Sequence, residues 1–121
     1  MSLKLAIIED DPLLAYDLEM ICQDAGWSVL ATANSMDQVK QKLQDVSLDV
    51  IISDMQLIGP ENGADAVTWL KARNPDLQVI FVTGTQDAEL LHRIDAVNPQ
   101  EVFSKPVDPA CLVEALGGMA G

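Results

Sequence analysis

Short apolar runs alternate along this chain with segments whose apolar residues recur every three or four positions. The runs cover residues 3–8, 27–32, 50–53, 78–83 and 101–104. Their β-branched residues predict five strands, and the run at 50–53 has the unbroken apolar character of a strand buried on both faces. The intervening segments have the spacing of amphipathic helices, as at Leu14, Leu18 and Ile21. The pattern therefore predicts five strands alternating with five helices.

Residues with strong positional preferences indicate where several of these helices begin and end. Pro12 suits the first turn of the first helix, because its missing N–H group is not needed there. Either Asn34 or Ser35 can cap the second helix. The last helix is predicted over residues 108–116. Three glycines are expected to form a loose tail after it: Gly117, Gly118 and Gly121.

Strands and helices in alternation, joined by short loops, predict an α/β fold with a doubly wound parallel sheet. A chain of 121 residues is the size of one domain, so residues 1–121 are expected to form a single domain. The start at Met1 is also compatible with a domain excised from a longer protein. In such sheets ligands bind outside the carboxyl ends of the strands, which is where candidate chemistry should lie.

Composition and charge exclude several classes of protein. Hydrophobic residues make up 49% and charged residues 21% of the chain, which is typical of a globular domain. The net charge of −12 repels phosphate backbones, so no direct nucleic-acid binding is expected. The longest apolar run, 79–82, is far shorter than the roughly 20 residues of a membrane span. Two cysteines make no disulfide framework, and a cytoplasmic location is expected.

Polar residues with complementary chemistry follow four of the five predicted strands. Glu9 and Asp10 follow the first strand, and Asp54 follows the third. Thr83 ends the fourth strand, and Lys105 follows the fifth. Carboxylates that meet at one edge of a sheet repel one another unless a cation lies among them, and hard oxygen ligands suit Mg²⁺. An adjacent lysine and hydroxyl group suit the remaining oxygens of a transferring phosphoryl group.

The motifs at these strand ends resemble those of the receiver domains of two-component response regulators, including the chemotaxis type. They are Ile-Ile-Glu-Asp-Asp-Pro at 7–12, Asp-Val-Ile-Ile-Ser-Asp-Met-Gln-Leu at 49–57, Val-Ile-Phe-Val-Thr-Gly at 79–84 and Val-Phe-Ser-Lys-Pro at 102–106. The resemblance covers essentially the whole chain. It implies a flavodoxin-like fold with strand order 2-1-3-4-5 and five flanking helices.

The resemblance also implies a phosphorylation site and a metal site. Asp54 is expected to be the nucleophile that becomes an acyl phosphate. Asp10 and Asp54 are expected to bind Mg²⁺ directly and Glu9 largely through water, with the backbone carbonyl of Gln56 completing the set of protein ligands. These roles follow from the family and not from the spacing of the residues.

Two further residues are expected to act on the phosphoryl group. The resemblance implies that the Thr83 hydroxyl hydrogen-bonds one phosphoryl oxygen and that Lys105 pairs with another. The peptide bond between Lys105 and Pro106 is expected to be cis, as in the family. Activation is expected to act mainly through Thr83 and the 84–87 loop, since Val102 replaces the Tyr or Phe common in relatives.

One other departure concerns the loop after the phosphorylation site. Relatives usually have proline directly after the residue that corresponds to Leu57. This chain has Ile58-Gly59-Pro60 there, so its loop is about one residue longer.

The resemblance implies a protein that accepts a phosphoryl group from a histidine kinase or histidine phosphotransfer protein and then switches an unknown output partner. Such a protein is not an enzyme beyond assisting its own phosphorylation and dephosphorylation, and it is a monomer or a weak phosphorylation-dependent dimer. One alternative is a non-phosphorylated pseudo-receiver that only binds proteins. A Mg²⁺-dependent phosphatase is a second alternative, but Asp54-Met55-Gln56 lacks the second acid of its Asp-x-Asp motif.

A docking position for the phosphodonor follows from the start of the first helix. Leu13 and Leu14 are consecutive and so point about 100° apart on a helix. Leu14 is in register with Leu18 and Ile21, so Leu13 is expected to be the exposed one. A helical phosphodonor is expected to pack against Leu13 and Pro106.

Overall fold

The computed structural model describes residues 3–120, and within them five strands alternate with five helices. The strands are β1 (Lys4–Ile8), β2 (Ser28–Ala33), β3 (Val50–Ser53), β4 (Gln78–Thr83) and β5 (Glu101–Ser104). The helices are α1 (Pro12–Asp24), α2 (Met36–Leu43), α3 (Gly63–Arg73), α4 (Ala88–Ala96) and α5 (Pro109–Ala120). This confirms the predicted alternation, with β3, β4 and β5 at the predicted residues.

The five strands form one parallel sheet in the order β2-β1-β3-β4-β5. The predicted doubly wound, flavodoxin-like fold is therefore confirmed. All four residues of β3 are buried, including Ser53 at its end, as predicted for a strand covered on both faces. Because every strand runs in the same direction, the carboxyl ends of β1, β3, β4 and β5 lie side by side at one edge of the sheet.

The helices are divided between the two faces of the sheet, each with its own apolar core. On one face, α2, α3 and α4 pack over the sheet through residues such as Val39, Leu70 and Ile94. On the other face, α1 and α5 pack through residues such as Leu18 and Leu112. As a result of this division, α1 and α5 are neighbours on the same face of the sheet.

Side-chain caps fix where the helices begin. The Asp11 side chain accepts a hydrogen bond from the Leu13 N–H group at 2.9 Å, and Pro12 occupies the first turn of α1 as predicted. Of the two candidate caps for α2, the structure selects Ser35, whose hydroxyl oxygen accepts from the Gln38 N–H group at 3.2 Å. The start of α1 thereby comes directly after the acidic residues that follow β1.

The predicted glycine tail is wrong for Gly117 and Gly118, which lie inside α5. Each glycine costs a helix roughly 1 kcal/mol relative to alanine. Leu112 and Leu116 are completely buried, and Met119 packs against the same core, so tertiary packing holds the helix together beyond Leu116. Gly121 lies outside the described residues.

Within residues 3–120, the helices are too short and too polar for any of them to span a bilayer.

Candidate functional site

The buried polar side chains of the described residues gather at the carboxyl edge of the sheet. Among residues 3–120, the buried polar or charged residues are Glu9, Ser53, Asp54 and Thr83. Glu9 directly follows β1, Ser53 and Asp54 mark the end of β3, and Thr83 ends β4. Buried polar groups cost free energy unless they are paired, so their concentration at one place marks this edge as the candidate site.

Three carboxylates form a cluster at this edge. One carboxylate oxygen from each of Glu9, Asp10 and Asp54 lies within 4.8 Å of the other two. Glu9 and Asp54 are only 2% and 5% exposed, while Asp10 is more exposed than either. The structure therefore brings together the three acids that sequence analysis assigned to a metal site.

Lys105 provides the positive charge of the cluster. Its Nζ atom lies 2.7 Å from Asp54 Oδ2 and 2.9 Å from Glu9 Oε1. Burial by itself would lower the pKa of Lys105, but the hydrogen bond with Asp54 and the ion pair with Glu9 prevail and raise it. The peptide bond that follows, Lys105–Pro106, is cis as expected. One ammonium group is thus shared between two buried carboxylates.

The cluster remains short of positive charge at Glu9. Burial is the main cause that raises the pKa of Glu9 to about 7, and its hydrogen bond with Asp10 adds to the rise. Glu9 Oε2 accepts a hydrogen bond from the Asp11 N–H group at 3.1 Å. Glu9 Oε1 is buried and lies 2.9 Å from the Lys105 Nζ atom, but it has no partner with hydrogen-bond geometry among the described residues. A buried, incompletely satisfied carboxylate oxygen among other carboxylates is a site that a cation would stabilise.

Asp54 is held in one orientation by both of its carboxylate oxygens. Oδ1 accepts a hydrogen bond from the Met55 N–H group at 2.7 Å, and Oδ2 accepts one from Lys105 at 2.7 Å. The Asp54 N–H group donates to the Ile8 carbonyl at 2.8 Å, which ties the end of β3 to β1. The Asp54 carboxylate therefore has a fixed position at the carboxyl edge of the sheet.

Thr83 lies beside this group at the end of β4. Its carbonyl accepts a hydrogen bond from the Lys105 N–H group at 3.0 Å, and its hydroxyl oxygen accepts one from the Thr85 N–H group at 3.2 Å. Thr83 is thus hydrogen-bonded both to Lys105 and to the loop that leads into α4. These two contacts connect the site to that loop.

Sequence reasoning missed two residues that hold the backbone of Asp54. The Ser53 hydroxyl donates to the Asp54 carbonyl at 2.8 Å. Gly63, the first residue of α3, donates its N–H group to the Met55 carbonyl at 2.8 Å. A Cβ atom at position 63 would overlap the carbonyl oxygen of Asp54, so only glycine fits. The signal in the sequence was the Asn62-Gly63 pair directly before a helical segment, with Asn62 as the helix cap.

Comparison with known protein families agrees with this geometry. The family model described as the response regulator receiver domain matches residues 5–117, which is nearly the whole chain. The chain belongs to the response regulator receiver domain family. Receiver domains are signalling domains that typically bind Mg²⁺ at an acidic pocket and interact with kinases and output domains. In this receiver domain, Glu9, Asp10 and Asp54 form an acidic cluster at the carboxyl edge of the sheet.

Similar proteins include two bacterial regulators. The chain is 32% identical over 111 residues to the phyllosphere-induced regulator PhyR of Methylorubrum extorquens, covering 91% of this chain but 40% of PhyR. It is 26% identical over 118 residues to the chemotaxis protein CheY of Thermotoga maritima, covering 96% of each chain. The chain thus spans less than half of PhyR and almost all of CheY.

Similar solved structures are receiver domains as well. The signal receiver domain of a modulated diguanylate cyclase from Desulfovibrio desulfuricans G20 has a TM-score of 0.89 and 27% identity, with 98% of this chain and 94% of that chain covered. The receiver domain of PhyR from Erythrobacter litoralis has a TM-score of 0.86 and 26% identity, with 98% and 90% covered.

The loop that departs from the family pattern packs beside the site of this receiver domain. The Ile58 N–H group donates to the Asn34 carbonyl at 3.0 Å, and Ile58 forms a bridge with Ser35. Gly59 has φ +99°, a conformation that favours glycine. The longer loop is therefore anchored to the connection between β2 and α2. Gln56, whose backbone carbonyl is the predicted metal ligand, is an exposed residue.

Both predicted docking residues are exposed. Leu13 is 76% exposed, while Leu14 is half-buried. Pro106 is exposed and lines the same groove as Leu14, Glu9 and Lys105. Pro106 is thus beside the acidic cluster, and Leu13 is exposed in the first turn of α1.

Val102, where many relatives have an aromatic residue, lies on β5 and is 43% exposed. Its neighbour Phe103 points to the opposite side and packs against the core under α1 and α5. Neither residue supplies an aromatic ring on the side of the sheet that Val102 occupies.

Proposed function

We propose that this receiver domain accepts a phosphoryl group on Asp54, with Mg²⁺ bound, and that phosphorylation changes which partner the domain binds. The observation that carries the proposal is the fixed Asp54 carboxylate, held 2.7 Å from Lys105 within the cluster of three acids. We further propose that residues 1–121 form one such domain and that it acts in the cytoplasm. The domain assists its own phosphorylation and dephosphorylation and is not otherwise an enzyme.

The donor in this proposal is a phosphohistidine of a histidine kinase or histidine phosphotransfer protein. A carboxylate oxygen of Asp54 attacks phosphorus, and the P–O bond forms as the P–N bond breaks. The electron pair of the P–N bond goes to the imidazole, which leaves as neutral histidine when its other nitrogen carries a proton. Lys105 is close enough to Asp54 to pair with a phosphoryl oxygen as negative charge moves onto the receiver.

The residues present fit a magnesium ion. Carboxylate oxygens of Asp10 and Asp54 would bind it with the backbone carbonyl of Gln56, and Glu9 would act largely through water. Two observations support this assignment. Glu9 Oε1 has no hydrogen-bond partner among the described residues. The single positive charge of Lys105 is shared between the carboxylates of Glu9 and Asp54. When bound, the ion would neutralise charge on the transferring phosphoryl group.

The proposed switch begins at Thr83. A phosphoryl group on Asp54 adds strong acceptor oxygens, and the Thr83 hydroxyl can donate to one of them. That movement would release the contact between the Thr83 hydroxyl and the Thr85 N–H group and shift the 84–87 loop before α4. With only Val102 exposed on β5, we propose that this loop carries most of the change to the unknown output partner. The domain remains a monomer or forms a weak dimer when phosphorylated.

Acetyl phosphate, a small phosphodonor, tests the proposed function. Incubation of the chain with acetyl phosphate and Mg²⁺ should add one phosphoryl group at Asp54, with the lability to base of an acyl phosphate. Asp54→Asn should remove the modification, because an amide is not a nucleophile for phosphorus. Intact-mass and peptide mass spectrometry measure both results.

The matched control is Asp45→Asn, an exposed carboxylate away from the site, which should be labelled like the original chain. Equal labelling of the Asp54→Asn variant would refute the assignment of the nucleophile. A folded chain that no phosphodonor labels would instead be a pseudo-receiver.

Magnesium binding should stabilise the native state, because an ion that binds only folded protein shifts the folding equilibrium. At a concentration about 100 times the Kd, the expected gain is roughly 2.7 kcal/mol. Asp10→Asn should weaken Mg²⁺ binding by at least about tenfold and leave the metal-free chain no less stable, because it removes one repelling charge. Thermal unfolding across a Mg²⁺ titration measures both effects.

The control for this prediction is Asp17→Asn, which changes the same type of residue on the exposed surface of α1. An Asp10→Asn variant with unchanged Mg²⁺ affinity would place the metal elsewhere.

A further inference from the structure

Two consecutive carbonyl groups between β2 and α2 hold the two segments that carry the proposed metal ligands. The Ala33 carbonyl accepts a hydrogen bond from the Glu9 N–H group at 2.9 Å, in the acidic segment after β1. The Asn34 carbonyl accepts one from the Ile58 N–H group at 3.0 Å, in the loop after β3 that contains Gln56. The connection between β2 and α2 supplies no carboxylate to the cluster, yet it fixes the backbones of both segments relative to each other.

Three consecutive carbonyl groups at the start of the β3–α3 loop differ in what they contact. The Asp54 carbonyl accepts the Ser53 hydroxyl at 2.8 Å, and the Met55 carbonyl accepts the Gly63 N–H group at 2.8 Å. Among the described residues, the Gln56 carbonyl accepts no hydrogen bond. The loop is therefore anchored on both sides of the carbonyl that we propose as a metal ligand.

One side chain holds the connection between β2 and α2 in place: Gln38, in the first turn of α2. Its Oε1 atom accepts a hydrogen bond from the Asn34 N–H group at 2.9 Å, and its own N–H group donates to the Ser35 hydroxyl oxygen at 3.2 Å. Gln38 is half-buried and lines a cavity of about 490 Å³ together with Asp10, Asn34 and Ile58. Asn34 is thus held from α2 through its N–H group, while its carbonyl group holds Ile58.

Magnesium places strict demands on the positions of its ligands. Mg²⁺ requires octahedral geometry at about 2.0–2.1 Å, whereas Ca²⁺ accepts about six to eight oxygens at about 2.3–2.6 Å in flexible geometry. An anchored carbonyl therefore favours Mg²⁺, because a loop that could move would adapt to either ion. Contacts that orient metal ligands typically change metal affinity by about 10–100-fold when they are removed.

We propose that Gln38 is a positioning residue of the magnesium site, acting through Asn34 and Ile58 on the β3–α3 loop. The inference rests on the proposed function, because that proposal supplies the magnesium site. It extends the site to α2, a helix that contributes no metal ligand. Gln38 thereby contributes to Mg²⁺ affinity and to the preference for Mg²⁺ over Ca²⁺.

Gln38→Met tests the inference, because methionine is similar in length and also neutral but has no oxygen to accept the Asn34 N–H group. Its backbone N–H group can still donate to Ser35, so α2 keeps its cap. The variant should bind Mg²⁺ about fivefold or more weakly. Its Ca²⁺ affinity should fall by less than about twofold. NMR titrations with MgCl₂ and with CaCl₂ measure the two affinities on the folded chain.

The matched control is Gln41→Met, which makes the same change at an exposed residue of α2 and should leave both affinities unchanged. Gln38→Glu is the conservative variant. It keeps an acceptor oxygen for the Asn34 N–H group, so it should bind Mg²⁺ no more weakly than the original chain.

A second pair of variants tests the loop without altering Gln38. Gly59 and Gly26 have φ of +99° and +91°, and a Cβ atom added to either would meet no other atom within 4 Å. Alanine should therefore be strained to a similar degree at both positions. Only Gly59 lies in the anchored loop, so Gly59→Ala should weaken Mg²⁺ binding by about threefold or more. Gly26→Ala, just after α1, should leave Mg²⁺ affinity unchanged.

Three results would overturn the inference: unchanged Mg²⁺ affinity in Gln38→Met, an equal loss in Gln41→Met, or equal losses of Mg²⁺ and Ca²⁺ affinity in Gln38→Met. In each of these cases the proposed function survives if acetyl phosphate labels Asp54 and Asp10→Asn weakens Mg²⁺ binding. If Asp10→Asn binds Mg²⁺ as tightly as the original chain, the proposed metal site fails.

Discussion

Replacing Gly63 with alanine should lower the free energy of unfolding by about 3 kcal/mol, because the new Cβ atom would overlap the Asp54 carbonyl oxygen. That carbonyl also accepts the Ser53 hydroxyl, and Gly63 donates to the Met55 carbonyl, so neither backbone segment can move without losing hydrogen bonds. The displacement would reach the Asp54 carboxylate, and labelling by acetyl phosphate should fall by about tenfold or more. Urea unfolding and the labelling rate measure the two effects.

Gly117→Ala is the matched control. Gly117 lies inside α5 and has open space where a Cβ atom would be added. Alanine there should raise the free energy of unfolding by about 0.5–1 kcal/mol, because glycine is a poor helix residue. A Gly63→Ala variant as stable as the original chain would show that the close approach to Asp54 is easily relieved.

The stability of the metal-free chain should fall as pH rises from 5 to 8, partly because of Glu9. Its pKa is raised from the ordinary 4.5 to about 7, chiefly by burial. The folded state therefore binds a proton more tightly than the unfolded state. Between these two pKa values each rise in pH favours the unfolded state, and above about pH 7 the effect levels off. The contribution of Glu9 over this window is about 2 kcal/mol.

Glu9→Gln should remove this contribution, so the variant should gain stability relative to the original chain at pH 8 and gain much less at pH 5. Urea unfolding with a chelator present measures the difference at the two pH values. Glu114→Gln, at an exposed residue of α5, should leave the pH dependence unchanged. An equal pH dependence in the Glu9→Gln variant would show that Glu9 does not hold the proton.

Much of the fold follows from local pattern. The runs at β3 and β4 predicted those strands at their observed residues, because a strand buried on both faces is mostly apolar. The edge strand β5 is largely exposed, and its short run also matched the observed residues. The end of α5, by contrast, could not be predicted from the local sequence pattern. Gly117 and Gly118 are weak helix residues, and only the burial of Leu112 and Leu116 against the sheet keeps them helical.

The same distinction holds at the candidate site. Parallel strands place their carboxyl ends together, so the sequence alone was enough to bring Glu9, Asp10, Asp54 and Lys105 to one edge. It did not reveal that one ammonium group is shared by two buried carboxylates, or that Gly63 lies against the Asp54 backbone. Those facts depend on how the β3–α3 loop folds back and on contacts between strands, which the local pattern does not specify.

The order of residues in this chain was sufficient for the alternation of strands and helices, for the acids, threonine and lysine at the strand ends, and for the family they resemble. These features depend on periodicity and on spacing along the backbone. Tertiary structure decided the burial of Glu9, the length of α5 and the close approach of Gly63 to Asp54. Burial and charge pairing are set by what packs against a residue, and packing partners are chosen only when the chain folds.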